Sequence, residues 1–266
     1  MWRQPRLLAV GAAVALGTLA AGDSSDEVSI GQRFHAETSF TDHGYCGQPQ
    51  WGRKEPVFKV FEEMTRTSLP NGVNSDLMLQ LALQRRHSTR DFAPRPLPLP
   101  LLARVLGSAY GLLEFRGGAP HHTTPSAGGL YPLELYVAAD NVAGLEAGLY
   151  HFQTADTSLE MIDVGTHNAA LHEAANGQYA VGYAPATLVI TARFERMTFK
   201  YADRGYRYAY MEAGAVCQNV YLQCEALGLG TVAVGAFNDE RLSRLIEIDG
   251  VSEAALLIMP IGYPAN

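Results

Sequence analysis

Apolar positions along the chain recur with two periods. From Ser75 to Arg86, the apolar residues Leu77, Met78, Leu81 and Ala82 share one helical face, with Ser75 placed to cap its start. Pro100 stands where a helix can begin, and Leu101, Leu102, Val105, Leu106 and Ala109 follow at helical spacing. The longest helix is predicted over about Tyr208 to Leu227, where Ala213, Val216, Cys217, Val220, Tyr221, Cys224 and Leu227 repeat every three or four residues and Gly228 and Gly230 end it. Asn168 to Asn176 and Asp239 to Ile246 read as shorter helices. The second period is two. Leu133 to Val137 alternates like a strand, and Gly148 to Phe152 with Leu159 to Val164 flank a polar turn as a hairpin. Ala186 to Ala192 is a continuous apolar run, the mark of a strand buried on both faces, and Thr231 to Val234 and Ala255 to Ile261 complete the set. Gly117 to Gly129 reads as a loop. Helices and strands in this order, without strict βαβ alternation, predict an α+β domain over residues 72–266.

The pattern fades toward the N-terminus. Residues 30–71 are aromatic, glycine- and proline-rich with little periodicity, as in an irregular arm that wraps a domain. Ahead of them, Arg3 and Arg6 precede an apolar run from Leu7 to Ala21 and then the acidic Asp23 to Glu27, so residues 1–22 have the layout of a secretory signal peptide. The run is short for a membrane span, which needs about 20 apolar residues. A cleaved export signal, an uncleaved anchor and a loose N-terminal helix all fit, so the protein is expected to be exported to the periplasm or beyond or, failing that, cytoplasmic.

Composition narrows the partners. Lys plus Arg number 20 against 27 Asp plus Glu, a net charge of −7, which gives no positive field to gather phosphate backbones and argues against nucleic acid. The three cysteines form neither a disulfide framework nor a zinc-binding pair, and no metal site is predicted.

Four clusters carry candidate chemistry. Arg86, His87, Ser88, Thr89 and Arg90 follow the first helix; in an extended chain residues 86, 88 and 90 project to one side, and two guanidinium forks with a hydroxyl suit a phosphate, although a basic helix end also suits the helix dipole. Pro125, Ser126, Ala127, Gly128 and Gly129, running on through Leu130, Tyr131 and Pro132, are small enough to let backbone approach a flat ring, or are simply a loop before a strand. Gly228 and Gly230, with Gly235, Ala236 and Phe237, follow a helix and open a strand, the reverse of the dinucleotide-binding order, and fit either close packing or a second backbone approach to a cofactor. Lys200 and Tyr201 have ordinary pKa values near 10, so they serve as bases only in a cleft that lowers them, and are otherwise surface residues.

In order and spacing, these clusters resemble the SagB-type (thiazole- and oxazole-forming) dehydrogenases of the nitroreductase-like superfamily. The resemblance runs from about Ile30 to Pro264 and is most specific at Pro125 to Pro132, at Lys200-Tyr201 with Glu212-Ala213-Gly214 and Gln218-Asn219, and at Ala226 to Gly230 with Gly235-Ala236-Phe237. It implies a three-layer sandwich with a central mixed, mainly antiparallel sheet flanked by helices, and a homodimer with flavin mononucleotide (FMN) at the subunit interface. Arg86, His87, Ser88 and Arg90 would lie near its phosphate, Pro125, Ser126, Ala127, Gly128 and Gly129 near its ring, and Gly230, Gly235 and Ala236 at the second approach. Lys200 and Tyr201 would match the family's pair for dehydrogenating an azoline in a small molecule or peptide. Two rivals stand beside this reading: an NAD(P)H-dependent nitro- or quinone reductase, and a flavin- or peptide-binding partner without turnover.

Overall fold

A computed structural model of the protein describes residues 56, 58–59, 65–70 and 79–265. The segment 1–22, most of the 30–71 arm and the Ser75 cap lie outside the described residues.

Among the described residues, seven strands form one sheet in the order β1-β8-β7-β5-β9-β11-β10: β1 is Arg66–Ser68, β5 Leu133–Ala139, β7 Gly148–Gln153, β8 Ser158–Val164, β9 Ala186–Arg193, β10 Gly230–Thr231 and β11 Glu253–Gly262. Alternation builds the layers. Leu133, Leu135 and Val137 of β5, with Leu188 and Ile190 of β9, face a core shared with α2 (Leu99–Tyr110) and α6 (Arg204–Ala226). Tyr136 and Ala138 of β5, Val189 of β9 and Ile258 of β11 face the other way, against α3 (Asn168–Ala174), α4 (Tyr179–Tyr183) and α7 (Asp239–Leu245). β5 and β9 lie inside the sheet between these two helical layers, which is why they read as near-continuous apolar runs. This is the expected three-layer α+β sandwich. Every pairing in the large sheet is antiparallel; the one parallel ladder among the described residues is the two-residue pair of β2 (Leu97–Pro98) with β6 (Val142–Ala143).

Several elements depart from the periodicity. The stretch after Leu112, expected as loop from Gly117, begins with a hairpin of β3 (Leu112–Arg116) and β4 (Ala119–His122). Its side chains are largely exposed, so no alternation of apolar residues announces it. The helix α4 spans little more than one turn, and α5 (Glu195–Tyr201) buries only the adjacent Arg196 and Met197, so neither shows a 3.6-residue stripe. The expected strand 231–234 shrinks to β10 and a lone bridge between Val234 and Ile258. Within the described part of the arm, Arg66–Ser68 adds β1 to the sheet edge. The first helix, α1, is described over Leu79–Arg85.

Candidate functional site

Beyond α1 the chain runs without regular structure from Arg86 to Arg90, so successive side chains turn to different sides. The Arg86 guanidinium lies 5.1 Å from the centre of the Tyr221 ring, and Ser88 Oγ is 3.1 Å from Tyr221 Oη. Thr89 turns inward, and its N–H donates to the Thr231 carbonyl at 2.9 Å. Arg86 and Ser88 thus share the side that faces Tyr221. Arg90 is exposed and lines a groove of about 310 Å³ with Gln178, Tyr179 and the segment from Val232 to Ala236, including Gly235 and Ala236. Tyr221 joins these parts, because its Oη also accepts the Ala233 N–H at 2.8 Å. His87 is exposed, with Nδ1 3.0 Å from the Arg85 carbonyl oxygen. Gly230 is buried and does not face this groove: a Cβ there would stand 2.5 Å from Thr89, so glycine at this position serves the close packing of the 86–90 segment on β10.

The second cluster assembles around the loop from Thr124 to Tyr131. Thr124 Oγ1 donates to the Ala109 carbonyl at 2.8 Å and accepts from Asn219 Nδ2 at 2.9 Å, fixing the loop to α2 and α6. Ser126 Oγ accepts the Tyr131 N–H at 2.9 Å and folds the loop on itself, with Gly128 and Gly129 both at φ 64° and Tyr131 at φ 47°. At Gly128 the left-handed conformation and the space agree: a Cβ would lie 2.6 Å from Tyr201 Oη and 2.9 Å from Lys200 Nζ. Two motifs far apart in sequence therefore meet at one glycine. Lys200 Nζ stands 5.3 Å from the centre of the Tyr201 ring, and that ring packs edge-on to Tyr208 with centroids 4.9 Å apart.

Beside this loop a groove of about 340 Å³ is lined by Pro125, Ser126, Ala127, Tyr208, Met211, Glu212 and Ala215. Glu212 is 4% exposed and accepts the Tyr110 hydroxyl at 2.5 Å. Burial pushes its carboxyl up to about 7, although hydrogen bonding from Ser126 and Tyr110 pulls the other way. Tyr110 is in turn held well above the ordinary tyrosine value by its own burial and by Glu212. Glu212 appears in the sequence motif but was not among the expected site residues; its signal is an acid at the three-residue place after Ala209 in the buried stripe of the long helix. Nothing local marks Tyr110 or Tyr221 as more than core residues.

The two clusters lie apart. Glu212 and Tyr221 are nine positions apart on α6, which at 3.6 residues per turn and 1.5 Å per residue sets them half a turn round the helix and roughly 13 Å along it. Each suits a different part of FMN. Among the described residues neither Arg86 nor Arg90 has a carboxylate partner, which leaves two guanidinium groups and the Ser88 hydroxyl to hold a phosphate dianion. The loop 125–129, stripped of side-chain bulk, has the shape to accept a flat ring beside Lys200 and Tyr201.

Comparison with known proteins identifies the family. The model of the "Nitroreductase family" matches residues 83–263, a span that includes the 86–90 segment, the 124–131 loop, Lys200-Tyr201 and all of α6. The "Putative nitroreductase MJ1384" of Methanocaldococcus jannaschii is 43% identical over 190 residues, 70% of this chain and 91% of that protein. The Microcin B17-processing protein McbC of Escherichia coli is 28% identical over 211 residues, 77% of each chain. A crystal structure from Anabaena variabilis described as a "putative nitroreductase" shares the fold, with a TM-score of 0.71 and 24% identity over 88% of this chain; this chain spans only 47% of that one. The sandwich, the arginine–serine segment and the small-residue loop thus coincide with the span of one family model, and the chain belongs to the nitroreductase family as an oxidoreductase.

Proposed function

We propose that this protein is an FMN-dependent dehydrogenase of the SagB type that oxidises an azoline ring, in a peptide or small molecule, to the azole. The observation that carries the reading is the convergence of Lys200 Nζ and Tyr201 Oη on Gly128 in the 125–129 loop, at the edge of an open groove. FMN, when bound, supplies the acceptor for the hydride that leaves the azoline. The chain supplies the rest. Arg86, Ser88 and Arg90 hold the phosphate, and the loop from Pro125 to Gly129 lies along the ring. Lys200 takes the proton from the ring carbon next to the one that loses hydride, and Tyr201 fixes the lysine's approach. The likeness to McbC, named for processing microcin B17, supports a peptide-borne substrate.

Because α6 separates the two clusters within one chain, a site that uses both is completed by a second copy: Arg86, Ser88 and Arg90 from one protomer, Gly128 and Lys200 from its partner. Mixing an Arg86→Ala/Arg90→Ala chain with a Lys200→Ala chain then regains part of the activity that each lacks alone, through the one intact site of each mixed pair. A mixture as inactive as its parents argues for sites built within single chains.

The decisive test is Lys200→Ala, assayed on an azoline peptide with bound flavin followed by absorption. Retained flavin with lost azole formation is the expected outcome, and azole formation at the wild-type rate would remove Lys200 from the reaction. A second reading, an NAD(P)H-driven nitro- or quinone reductase, draws on the 43% identity to MJ1384. It predicts prompt anaerobic bleaching of the flavin band by NADPH, which a dedicated azoline oxidase does not require.

A further inference from the structure

We infer that Arg196 is a positioning residue for Lys200 and Tyr201, held in place by a chain of alternating charges that crosses the sheet through the buried Glu134, His151 and Glu160 to the exposed Arg66. This inference rests on the reading of Lys200 and Tyr201 as the reacting pair. Arg196 lies on α5 one turn ahead of Lys200, and its side chain is 2% exposed. Its Nη1 donates to the Tyr131 carbonyl at 3.1 Å, and its Nη2 to Glu134 Oε1 at 2.5 Å. Tyr131 closes the loop that carries Gly128, and α5 carries the two side chains that meet Gly128. One guanidinium therefore grips both bodies whose contact makes the site, and does so with the planar fork that lysine lacks.

The counter-ion is itself fixed. Glu134 Oε2 lies 2.9 Å from His151 Nε2, His151 Nδ1 lies 3.2 Å from Glu160 Oε2, and Glu160 Oε1 lies 2.6 Å from Arg66 Nη2. Strand register produces this order: Glu160 of β8 stands opposite both His151 of β7 and Arg66 of β1. A neutral imidazole carries one N–H, so facing a carboxylate from each nitrogen calls for the imidazolium, and the signs then alternate from Arg66 to Arg196. Burial disfavours that cation, but hydrogen bonds to Glu134 and Glu160 outweigh it and hold His151 above its ordinary value; Lys59 opposes them, and the Tyr136 ring packs 5.3 Å away. The chain of charges thus outlasts the ordinary histidine value and loosens as pH rises past the raised one. Replacing a buried ion network with apolar side chains is often neutral or stabilising, so its stability alone is a weak account of it. Its inner end gives a more specific one, since it stops at the helix bearing Lys200 and Tyr201.

The test uses the full chain and two variants, Arg196→Met/Glu134→Gln, which removes the pair without leaving a lone buried charge, and Arg196→Lys, which keeps the charge but loses the fork. Amide hydrogen exchange over residues 195–202 is compared with exchange over β5, β9 and β11, and azoline turnover is measured alongside. The expected result is exchange at least tenfold faster over 195–202 in the double variant with the sheet unchanged. kcat should fall tenfold or more while KM stays within about twofold, and Arg196→Lys should recover part of both. Unchanged exchange over 195–202 in either folded variant overturns the inference whatever the turnover shows. Absence of azoline turnover in the wild type counts against the proposed reaction instead, and leaves exchange to decide the positioning. If the double variant fails to fold, Arg196→Lys decides alone.

Discussion

Glu134 and Glu212 are equally hidden, 6% and 4% exposed, yet they settle in opposite protonation regimes. Burial pushes both carboxyls up. At Glu134 the Arg196 guanidinium and His151 more than offset it, and the carboxyl sits below the ordinary carboxylate value. Among the described residues Glu212 is bonded by the hydroxyls of Ser126 and Tyr110, which soften the effect without reversing it, and burial pushes it up to about 7. Buried acids with cations become fixed charges that brace a structure, whereas a buried acid with hydroxyls keeps a proton that it can give up near neutrality. The first kind underlies the loop at Gly128; the second lines the groove beside it.

The largest expected effect comes from breaking the braced acid. Arg196→Met leaves the Glu134 charge buried without its guanidinium and should cost about 3–5 kcal/mol in denaturant unfolding. Adding Glu134→Gln should recover at least half. A loss under about 1 kcal/mol for the single variant would mean that another group carries the Glu134 charge.

The proton-holding acid should behave in the opposite sense. A carboxyl whose folded value is raised contributes stability below the ordinary 4.5 and loses it as pH rises toward about 7. Glu212→Gln should therefore be more stable than wild type above neutrality, by about 3 kcal/mol for a rise of about 2.5 units at 1.36 kcal/mol per unit, and the gain should vanish in acid. Melting curves across the pH range check this, and a gain independent of pH would contradict the raised value.

Gly128→Ala tests the contact that the two acids flank. The left-handed backbone should cost about 1–2 kcal/mol, and the new methyl would displace Lys200 Nζ and Tyr201 Oη. Turnover should therefore fall by far more than melting temperature does; a variant that melts early but turns over normally would separate the glycine from the chemistry. The smallest effect is expected at Ser88→Ala, away from both acids, where loss of the hydrogen bond to Tyr221 should cost about 1 kcal/mol. It should also weaken FMN retention on dialysis.

Much of this molecule is legible in its residues. The long helix, the β7–β8 hairpin and the buried strands β5 and β9 announce themselves because each repeats one burial pattern over enough positions to show its period. The 86–90 and 125–129 segments are visible as residue types, a pair of arginines round a serine and a run of small residues. The short helices α4 and α5 and the exposed β3–β4 hairpin escape, having too few turns or too little buried face.

What the sequence by itself determined is which face of each element must be covered, since the direction of successive Cβ atoms follows from local backbone geometry. Which faces meet was decided by the strand order and register of the folded sheet, through contacts between residues distant in the chain. Only there does Gly128 reach Lys200 and Tyr201, does Glu134 acquire Arg196 and His151, and does Thr89 fill the space over Gly230. Local periodicity carries no record of such pairings, because a buried carboxyl and a buried leucine satisfy the same helical position until the tertiary structure supplies, or withholds, a cation.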